Sequence, residues 1–215
     1  MAPIPNESYT FSPKTLSTQE RTRLYERFRE DRRSPLPPAK WQRAQAAVLM
    51  MSEAGLRLSE AAAITYFDVT LAGVTRYSMT VRPEIAKYNQ GGEIPMTTIL
   101  QEALSALIMH LSKKLLPKWE IPLLSLASPK EHITPRQISR IVTDTVQEAC
   151  GVRANPHMLR HTFATRLRNV TDLSTLQCLL RHKNLSSTQI YLHPSLDETR
   201  QAMNSLNEPE KGASR

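Results

Sequence analysis

The stretch NPHMLRHTFATRLRNVTDLSTLQCLLRHKNLSSTQIYLH, residues 155–193, carries the pattern that decides the fold of this chain. His157 and Arg160 stand three residues apart near the start of a predicted helix, so their side chains project from one helix face. His182 follows, and Tyr191 comes nine residues after it. Arginine presents a planar fork of donors that suits a phosphate, and histidine adds a donor or a proton-transfer group. The stretch therefore predicts a helical, cationic site that binds a phosphate.

Other interpretations of these residues stay open at this point. Arg160 could form a structural ion pair with Asp144 or Asp172, and a single histidine in a helix is most often packed or solvated. His157 and His161 stand four residues apart, as two zinc ligands on a helix would. However, no glutamate lies between them, and an arginine beside the ligands would repel a cation. We therefore predict no metal site, and we expect His161 to face inward as a hydrogen-bonded core residue.

Capping and turn residues divide the chain into short helices. A capping box at residues 17–20 predicts a first helix that ends near Arg33. Residues 40–52 predict a buried second helix, which Gly55 ends and after which Ser59 caps a third. Further helices are predicted at 98–114, 134–150, 155–168, 172–182 and 196–206, with a short one that begins at Ser186 and contains Tyr191.

A predicted hairpin interrupts the helices. Residues 74–81 have the composition of a strand, and 93–96 return beside it after the glycine pair at 91–92. The intervening loop carries Lys87, and Arg57 lies in the joint between two buried helices. We therefore predict a mainly helical α+β domain with a small antiparallel β-hairpin sheet.

The composition is that of one basic globular domain. The chain has 215 residues, 40% of them apolar, which is enough for one ordinary core. Its formal net charge of +8 and its pI of about 9.7 favour a polyanionic partner. Cys150 and Cys178 lie in apolar helical segments, so we expect both thiols to be reduced and packed in a core, and we predict a cytoplasmic protein. The N-terminus lacks an apolar signal region, and no stretch approaches the ~18 apolar residues of a membrane span.

Several segments resemble the tyrosine recombinases of the phage-integrase family, which exchange DNA strands. PHMLRHTFATRL carries the family's His-x-x-Arg motif, and LLRHKNLSSTQIYLH carries its second histidine and its tyrosine. The family's first arginine lies in a Gly-Leu-Arg-x-Ser-Glu segment, which is present here as residues 55–60. Its catalytic lysine lies in a hairpin loop before a strand and a proline, and Lys87 stands eight residues before Pro95. The resemblance covers about residues 15–206.

The resemblance implies a site-specific recombinase that cleaves and rejoins duplex DNA through a 3′-phosphotyrosine, in integration, excision, inversion or resolution. Tyr191 would attack the scissile phosphate, His157 would take the tyrosine proton, and Lys87 would donate a proton to the departing 5′ oxygen. Glu60 is expected to orient an arginine or a histidine. No cofactor, metal or ATP is implied. The cations expected to stabilise the transition state are Arg57, Arg160 and the two histidines His157 and His182.

The chain departs from the family pattern at two points. Arg181 stands where the family usually has glycine before the second histidine, so we expect a different local turn, with Arg181 and Lys183 as candidate DNA contacts. Two-domain members also begin with a DNA-clamping domain, whereas this chain has a short lead before its first helix. It resembles the minimal form, as in fimbrial phase-variation invertases, or a catalytic fragment. We predict a flexible lead at 1–14, a catalytic domain at 15–206 and a flexible tail at 207–215.

The resemblance also implies partners. Duplex DNA is the substrate, and the family acts as a homotetramer in which a C-terminal helix, here 196–206, docks into a neighbouring subunit. An accessory DNA-binding protein is a further candidate partner, because a chain without a clamp should bind an isolated site weakly. Two other functions remain open from the sequence, a type IB topoisomerase that relaxes DNA and an inactive DNA-binding regulator.

Overall fold

Helices dominate the part of the chain that the computed structural model describes, residues 14–30, 38–112, 122–125 and 133–181. The helices are α1 (Thr18–Arg29), α2 (Pro38–Ser52), α3 (Leu58–Ala63), α4 (Tyr66–Val69), α5 (Thr98–Ser112), α6 (Pro135–Cys150), α7 (Pro156–Arg168) and α8 (Leu173–Leu180). The strands are β1 (Thr70–Leu71), β2 (Val74–Thr75), β3 (Ser78–Val81) and β4 (Gly92–Pro95). Short 3-10 turns lie at Pro83–Ile85, Lys87–Asn89 and Leu123–Ser125. The predicted mainly helical α+β class with a small antiparallel hairpin is confirmed.

Side-chain caps start several helices where the sequence predicted them. In α1 the Ser17 hydroxyl accepts a hydrogen bond from the Glu20 amide at 3.3 Å, and the Glu20 carboxylate accepts from the Ser17 amide at 2.7 Å. These bonds satisfy amides that have no partner within the helix. The other side-chain caps that were predicted and are present are Thr134, Asn155 and Asp172.

Two helix ends differ from the prediction. α1 ends at Arg29 rather than near Arg33. α3 begins at Leu58, so the predicted cap Ser59 lies inside the helix. The N-cap is Arg57 instead, and its backbone is extended. The amide of Arg57 donates a hydrogen bond to the Glu60 carboxylate at 2.8 Å.

The predicted strand 74–81 is divided in two. β1 pairs with β2, and β3 pairs with β4 in an antiparallel register that sets Ser78 opposite Pro95 and Val81 opposite Gly92. The division lies at residues 76–77, where the partner strand changes. The Arg76 amide donates to the carbonyl of Val69 in register with the β1–β2 pairing, whereas the carbonyl of Tyr77 accepts from the Met96 amide in register with the β3–β4 pairing. The predicted β3–β4 hairpin is confirmed, with residues 82–91 forming its tip.

The core is built around α2, which packs against α5, α6 and α7. Ten of its residues are buried, from Trp41 to Ser52, and Trp41 meets Phe28 of α1 edge-to-face with ring centres 5.7 Å apart. Cys150 is buried, as predicted, but Cys178 is exposed on α8, so the expectation that both thiols pack in a core is wrong for Cys178. Among the described residues, no helix is long and apolar enough to cross a membrane.

Candidate functional site

Gly55 places Arg57 at the joint between α2 and α3. The φ of Gly55 is 61°, and a Cβ there would lie 2.4 Å from Cδ1 of Phe163, so the joint requires glycine. Arg57 follows as the N-cap of α3, and its Nη1 donates to Oε1 of Glu60 at 2.7 Å. The Arg57 side chain is 21% exposed, which allows its guanidinium to contact a ligand.

Glu60 is buried between two guanidinium groups. Its side chain is 0% exposed, and its Oε2 accepts hydrogen bonds from the Arg57 amide at 2.8 Å and from Nη2 of Arg181 at 2.5 Å. Burial by itself would raise the pKa of the Glu60 carboxyl, but the charge of Arg181 and the bonds and charge of Arg57 hold that pKa below its usual range. The carboxylate is therefore ionised and fixes the orientation of both arginines.

Arg181 ends α8 in the left-handed conformation, with φ of 52° and ψ of 49°. The helix therefore ends at Leu180 rather than near His182. The prediction of a different local turn is not met, because Arg181 adopts the positive φ that a glycine at a helix C-terminus favours. Its side chain is 4% exposed and faces Glu60. This burial does not match the DNA contact expected of Arg181, because the guanidinium is turned away from solvent.

Arg160 lies on α7 and joins the ends of two other helices. Its Nη1 donates to the carbonyl oxygen of Gly55, and its Nη2 donates to the carbonyl oxygen of Leu180 at 2.7 Å. Arg160 is 8% exposed. Of the two acidic residues considered as partners, Asp144 pairs with an arginine of its own helix and Asp172 caps α8. The guanidinium of Arg160 is thus held by backbone beside the Arg57 joint.

His157 is exposed on the first turn of α7, which begins where the side chain of Asn155 accepts a hydrogen bond from the Met158 amide at 2.9 Å. The positive end of the helix dipole adds to the charge of a site at this position. His161 is half-buried, and burial first, then the charges of His157 and Arg160, lower its pKa. In the described ranges, no group of three or more histidine, cysteine, aspartate or glutamate residues is placed to hold a metal ion.

Lys87 lies at the exposed tip of the β3–β4 hairpin, with its Nζ 4.9 Å from the ring centre of Tyr88. The base of the hairpin is fixed to the helices. Nε of Arg82 donates to Oδ1 of Asp68 at 2.9 Å, and its Nη2 donates to the carbonyl of Ala63 at 3.2 Å. The lysine is therefore presented from an anchored loop.

One cluster near the site was not predicted. Nη1 of Arg166 on α7 and the hydroxyl of Tyr25 on α1 both donate to Oε1 of Glu53, which is 5% exposed beside the α2–α3 joint. Arg166 also donates to the Tyr25 hydroxyl at 3.2 Å. Sequence spacing gives no signal for this cluster, because Arg166 lies 141 residues from Tyr25 and 113 from Glu53.

The structure brings four of the predicted residues into one network, hereafter the arginine network: Arg57, Glu60, Arg160 and Arg181. Three guanidinium groups and one carboxylate give this network a net positive charge, which suits a phosphate. Lys87 and His157 lie at exposed positions on the hairpin and on α7. The predicted residues that fall outside the described part of the chain are His182, Lys183 and Tyr191, together with the helices expected at Ser186 and at 196–206.

A family model matches most of the chain. The model of the phage integrase family matches residues 15–198, which include every predicted catalytic position. Curated relatives agree with it. The tyrosine recombinase XerC of Bacillus subtilis (strain 168) is 36% identical over 192 residues, which cover 87% of this chain and 59% of the relative. The XerC of Anoxybacillus flavithermus is 34% identical over 163 residues, 74% of this chain and 52% of that protein. The chain thus spans about half to three fifths of the length of these relatives.

Solved structures share the fold. The crystal structure of XerA recombinase superposes with a TM-score of 0.69 at 25% identity, covering 95% of this chain and 67% of that one. XerH site-specific recombinase bound to its difH substrate superposes with the same TM-score of 0.69 at 21% identity, covering 97% of this chain and 58% of that one. The described helices and hairpin therefore have the fold of a tyrosine recombinase catalytic domain.

Proposed function

Because the chain belongs to the phage integrase family, we propose that it is a site-specific tyrosine recombinase that cleaves and rejoins duplex DNA through a 3′-phosphotyrosine. The observation that carries this proposal is the arginine network. Arg160 is bonded to the carbonyl of Gly55, two residues before Arg57, so two cations from distant parts of the chain are held at one joint. The match of the family model over residues 15–198 supports a catalytic domain at 15–206.

Charge stabilisation is the first task of the site. A phosphodiester repels nucleophiles, and its transition state places additional charge on the non-bridging oxygens. Arg57, the more exposed of the two, donates to those oxygens, and Arg160 adds its positive charge from its buried position beside the joint. Their bonds to Glu60 and to backbone carbonyls hold both guanidinium groups in place before the substrate arrives. His182 adds a further donor. Preorganised donors of this kind lower the barrier because they need not reorient during the reaction.

Proton transfer is the second task. Tyr191 attacks the phosphorus, and its phenol, with an ordinary pKa near ~10, must lose a proton to His157 or to the cationic surroundings. Lys87 gives a proton to the departing 5′ oxygen from the tip of the hairpin, where it can approach bound DNA. The phosphotyrosine bond conserves the energy of the phosphodiester, so rejoining by the 5′ hydroxyl needs neither ATP nor a metal.

Duplex DNA is the proposed substrate, and the net charge of +8 supports binding to it. We extend the proposal to a homotetramer on DNA in which the segment 196–206 docks into a neighbouring subunit, with an accessory DNA-binding protein as a further partner. XerH, which shares the fold, is bound to its difH substrate in its crystal structure, and this supports the DNA part of the proposal. A substrate of this kind implies a cytoplasmic location.

A covalent trap tests the proposed function. The full chain is mixed with a library of duplexes that carry random sequences and a nick beside each candidate cleavage position, so that cleavage releases a short fragment and cannot be reversed. We expect a protein–DNA adduct that survives denaturation, and sequencing its DNA identifies the recombination site. Tyr191→Phe should form no adduct. An adduct that persists in Tyr191→Phe, or the absence of any adduct with the wild-type chain, would overturn the proposal.

A further inference from the structure

Arg181 occupies a position whose backbone favours glycine. Its φ of 52° lies in the left-handed region, which costs energy for any residue with a Cβ. Its side chain is nevertheless 4% exposed and reaches Glu60, which lies 121 residues earlier in the chain. Burying a guanidinium also has a desolvation cost. A helix end alone would be satisfied by glycine at lower cost, so the charged side chain needs a different explanation.

The charge of Glu60 supplies that explanation. The carboxylate lies directly behind Arg57, with Oε1 2.7 Å from Nη1 of that residue. A buried carboxylate at this distance cancels much of the positive potential that a phosphate bound to Arg57 would experience, since the low dielectric of the interior screens it weakly. The Arg181 guanidinium lies 2.5 Å from Oε2 and offsets the negative charge. With Arg181 present, Arg57, Glu60 and Arg181 carry a net charge of +1.

We propose that Arg181 is a positioning residue that compensates the charge of Glu60, so that Glu60 orients Arg57 without weakening the attraction of Arg57 for the scissile phosphate. This inference rests on the proposed function, because the phosphate is that of the DNA substrate. Arg181 acts through Glu60 and does not touch the substrate. The DNA contact expected of Arg181 from the sequence is replaced by this role.

Three variants of the full chain separate charge compensation from a structural role. R181M removes the charge and keeps most of the side-chain volume. R181K keeps the charge without the planar fork. The double variant R181M/E60Q removes both charges, while the amide oxygen of the glutamine can still accept a hydrogen bond from Arg57. In every variant the rate of a single cleavage turnover is measured on the nicked duplex at saturating protein, together with DNA affinity and the thermal melting temperature.

We expect R181M to cleave about tenfold to a hundredfold more slowly than the wild type, because the uncompensated Glu60 opposes the charge that develops in the transition state. R181K should stay within a few-fold of the wild-type rate. R181M/E60Q should be several-fold faster than R181M, although it carries one substitution more. If the role of Arg181 were merely structural, R181M/E60Q would cleave more slowly than R181M, because it carries one substitution more.

The outcomes are distinct. If R181M/E60Q is as slow as R181M or slower, or if R181M cleaves at the wild-type rate, the compensating role of Arg181 is overturned. If R181M does not fold, R181G takes its place with the same expectations, since glycine accepts the left-handed backbone without strain. If the wild-type chain itself forms no adduct, the proposed function fails rather than the inference about Arg181.

Discussion

The guanidinium of Arg160 donates a hydrogen bond to the backbone carbonyl of Gly55, which lies 105 residues earlier in the chain. The same side chain donates to the carbonyl of Leu180 at the end of α8. One arginine therefore connects the joint that carries Arg57 with the helix end that carries Arg181. The geometry of the candidate site depends on backbone groups as much as on neighbouring side chains.

Arg160→Ala should reduce both stability and activity. The substitution removes the donors of two buried carbonyls, and each unsatisfied group costs ~1–3 kcal/mol. We expect the free energy of unfolding in urea to fall by about 2–5 kcal/mol and the rate of cleavage to fall by about a hundredfold or more. Arg136→Ala is the control, because Arg136 is exposed on α6 and its loss changes the net charge equally. If Arg160→Ala and Arg136→Ala had the same free energy of unfolding, the hydrogen bonds from Arg160 to the carbonyls of Gly55 and Leu180 would be contradicted.

Gly55→Ala should destabilise the protein more than Gly151→Ala. Both glycines have a positive φ, 61° and 78°, so the left-handed backbone destabilises an alanine at either position by ~1–2 kcal/mol. A Cβ at Gly55 would also lie 2.4 Å from the ring of Phe163, whereas a Cβ at Gly151 would have no atom within 4 Å. We expect an additional loss of about 1–3 kcal/mol in the unfolding free energy for Gly55→Ala. Equal losses of unfolding free energy in the two variants would show that the Phe163 ring moves aside without an energetic cost.

Tyr25→Phe should change how stability depends on alkaline pH. Burial first, and the charge of Glu53 second, raise the pKa of Tyr25 above its ordinary value. The folded protein therefore keeps this proton at a pH where the unfolded chain loses it. The contribution of Tyr25 is fully present below about pH 10 and decreases above it by up to ~1.4 kcal/mol per pH unit.

Urea unfolding at pH 8.5 and at pH 11 measures this effect. The difference in unfolding free energy between the wild type and Tyr25→Phe should shrink or reverse at the higher pH. Tyr77→Phe provides the control for the loss of one phenol, because Tyr77 is 85% exposed. A difference between wild type and Tyr25→Phe that stays constant across this range would refute the linkage.

Lys87→Ala should impair cleavage in a way that depends on the leaving group. An alkoxide needs a proton as it departs, whereas a thiol has an ordinary pKa of ~8.5 and leaves as a thiolate at neutral pH. We expect Lys87→Ala to cleave an ordinary duplex about a hundredfold or more slowly. A duplex with sulfur in place of the bridging 5′ oxygen should be cleaved by this variant at nearly the wild-type rate. Equal defects on the two substrates would assign Lys87 to DNA binding instead.

Local signals predicted much of the fold. The caps at Ser17, Thr134, Asn155 and Asp172 were correct because each depends on residues within one helical turn. The position of Arg57 between two buried helices was predicted for the same reason. The division of the strand 74–81 was not, since it depends on a change of partner strand, from β1 at Arg76 to β4 at Tyr77. Such a change of partner gives no periodic signal in the sequence.

The residues of the site were easier to predict from the sequence than the contacts between them. The spacing of His157 and Arg160 and the segment around Arg57 named candidates, but nothing local indicated that Arg160 would bond to Gly55. The contact of Arg181 was misjudged because its partner, Glu60, lies in the first third of the chain. Contacts between residues more than a hundred positions apart depend on the packing of α2, α7 and α8, which single-residue patterns do not encode.

Because Glu60 and Arg181 lie far apart in the sequence, the ribosome adds them to the chain at different times. At ~5–20 residues per second, the 121 residues between them take roughly 6 to 24 seconds to translate. During that interval Glu60 lacks its second arginine, and Arg57 lacks the neighbouring Arg160. A ribosome-bound chain therefore lacks the complete arginine network until α8 has emerged. Under the proposed function, the charged groups that bind the phosphate are therefore complete only after Arg181 has been synthesised.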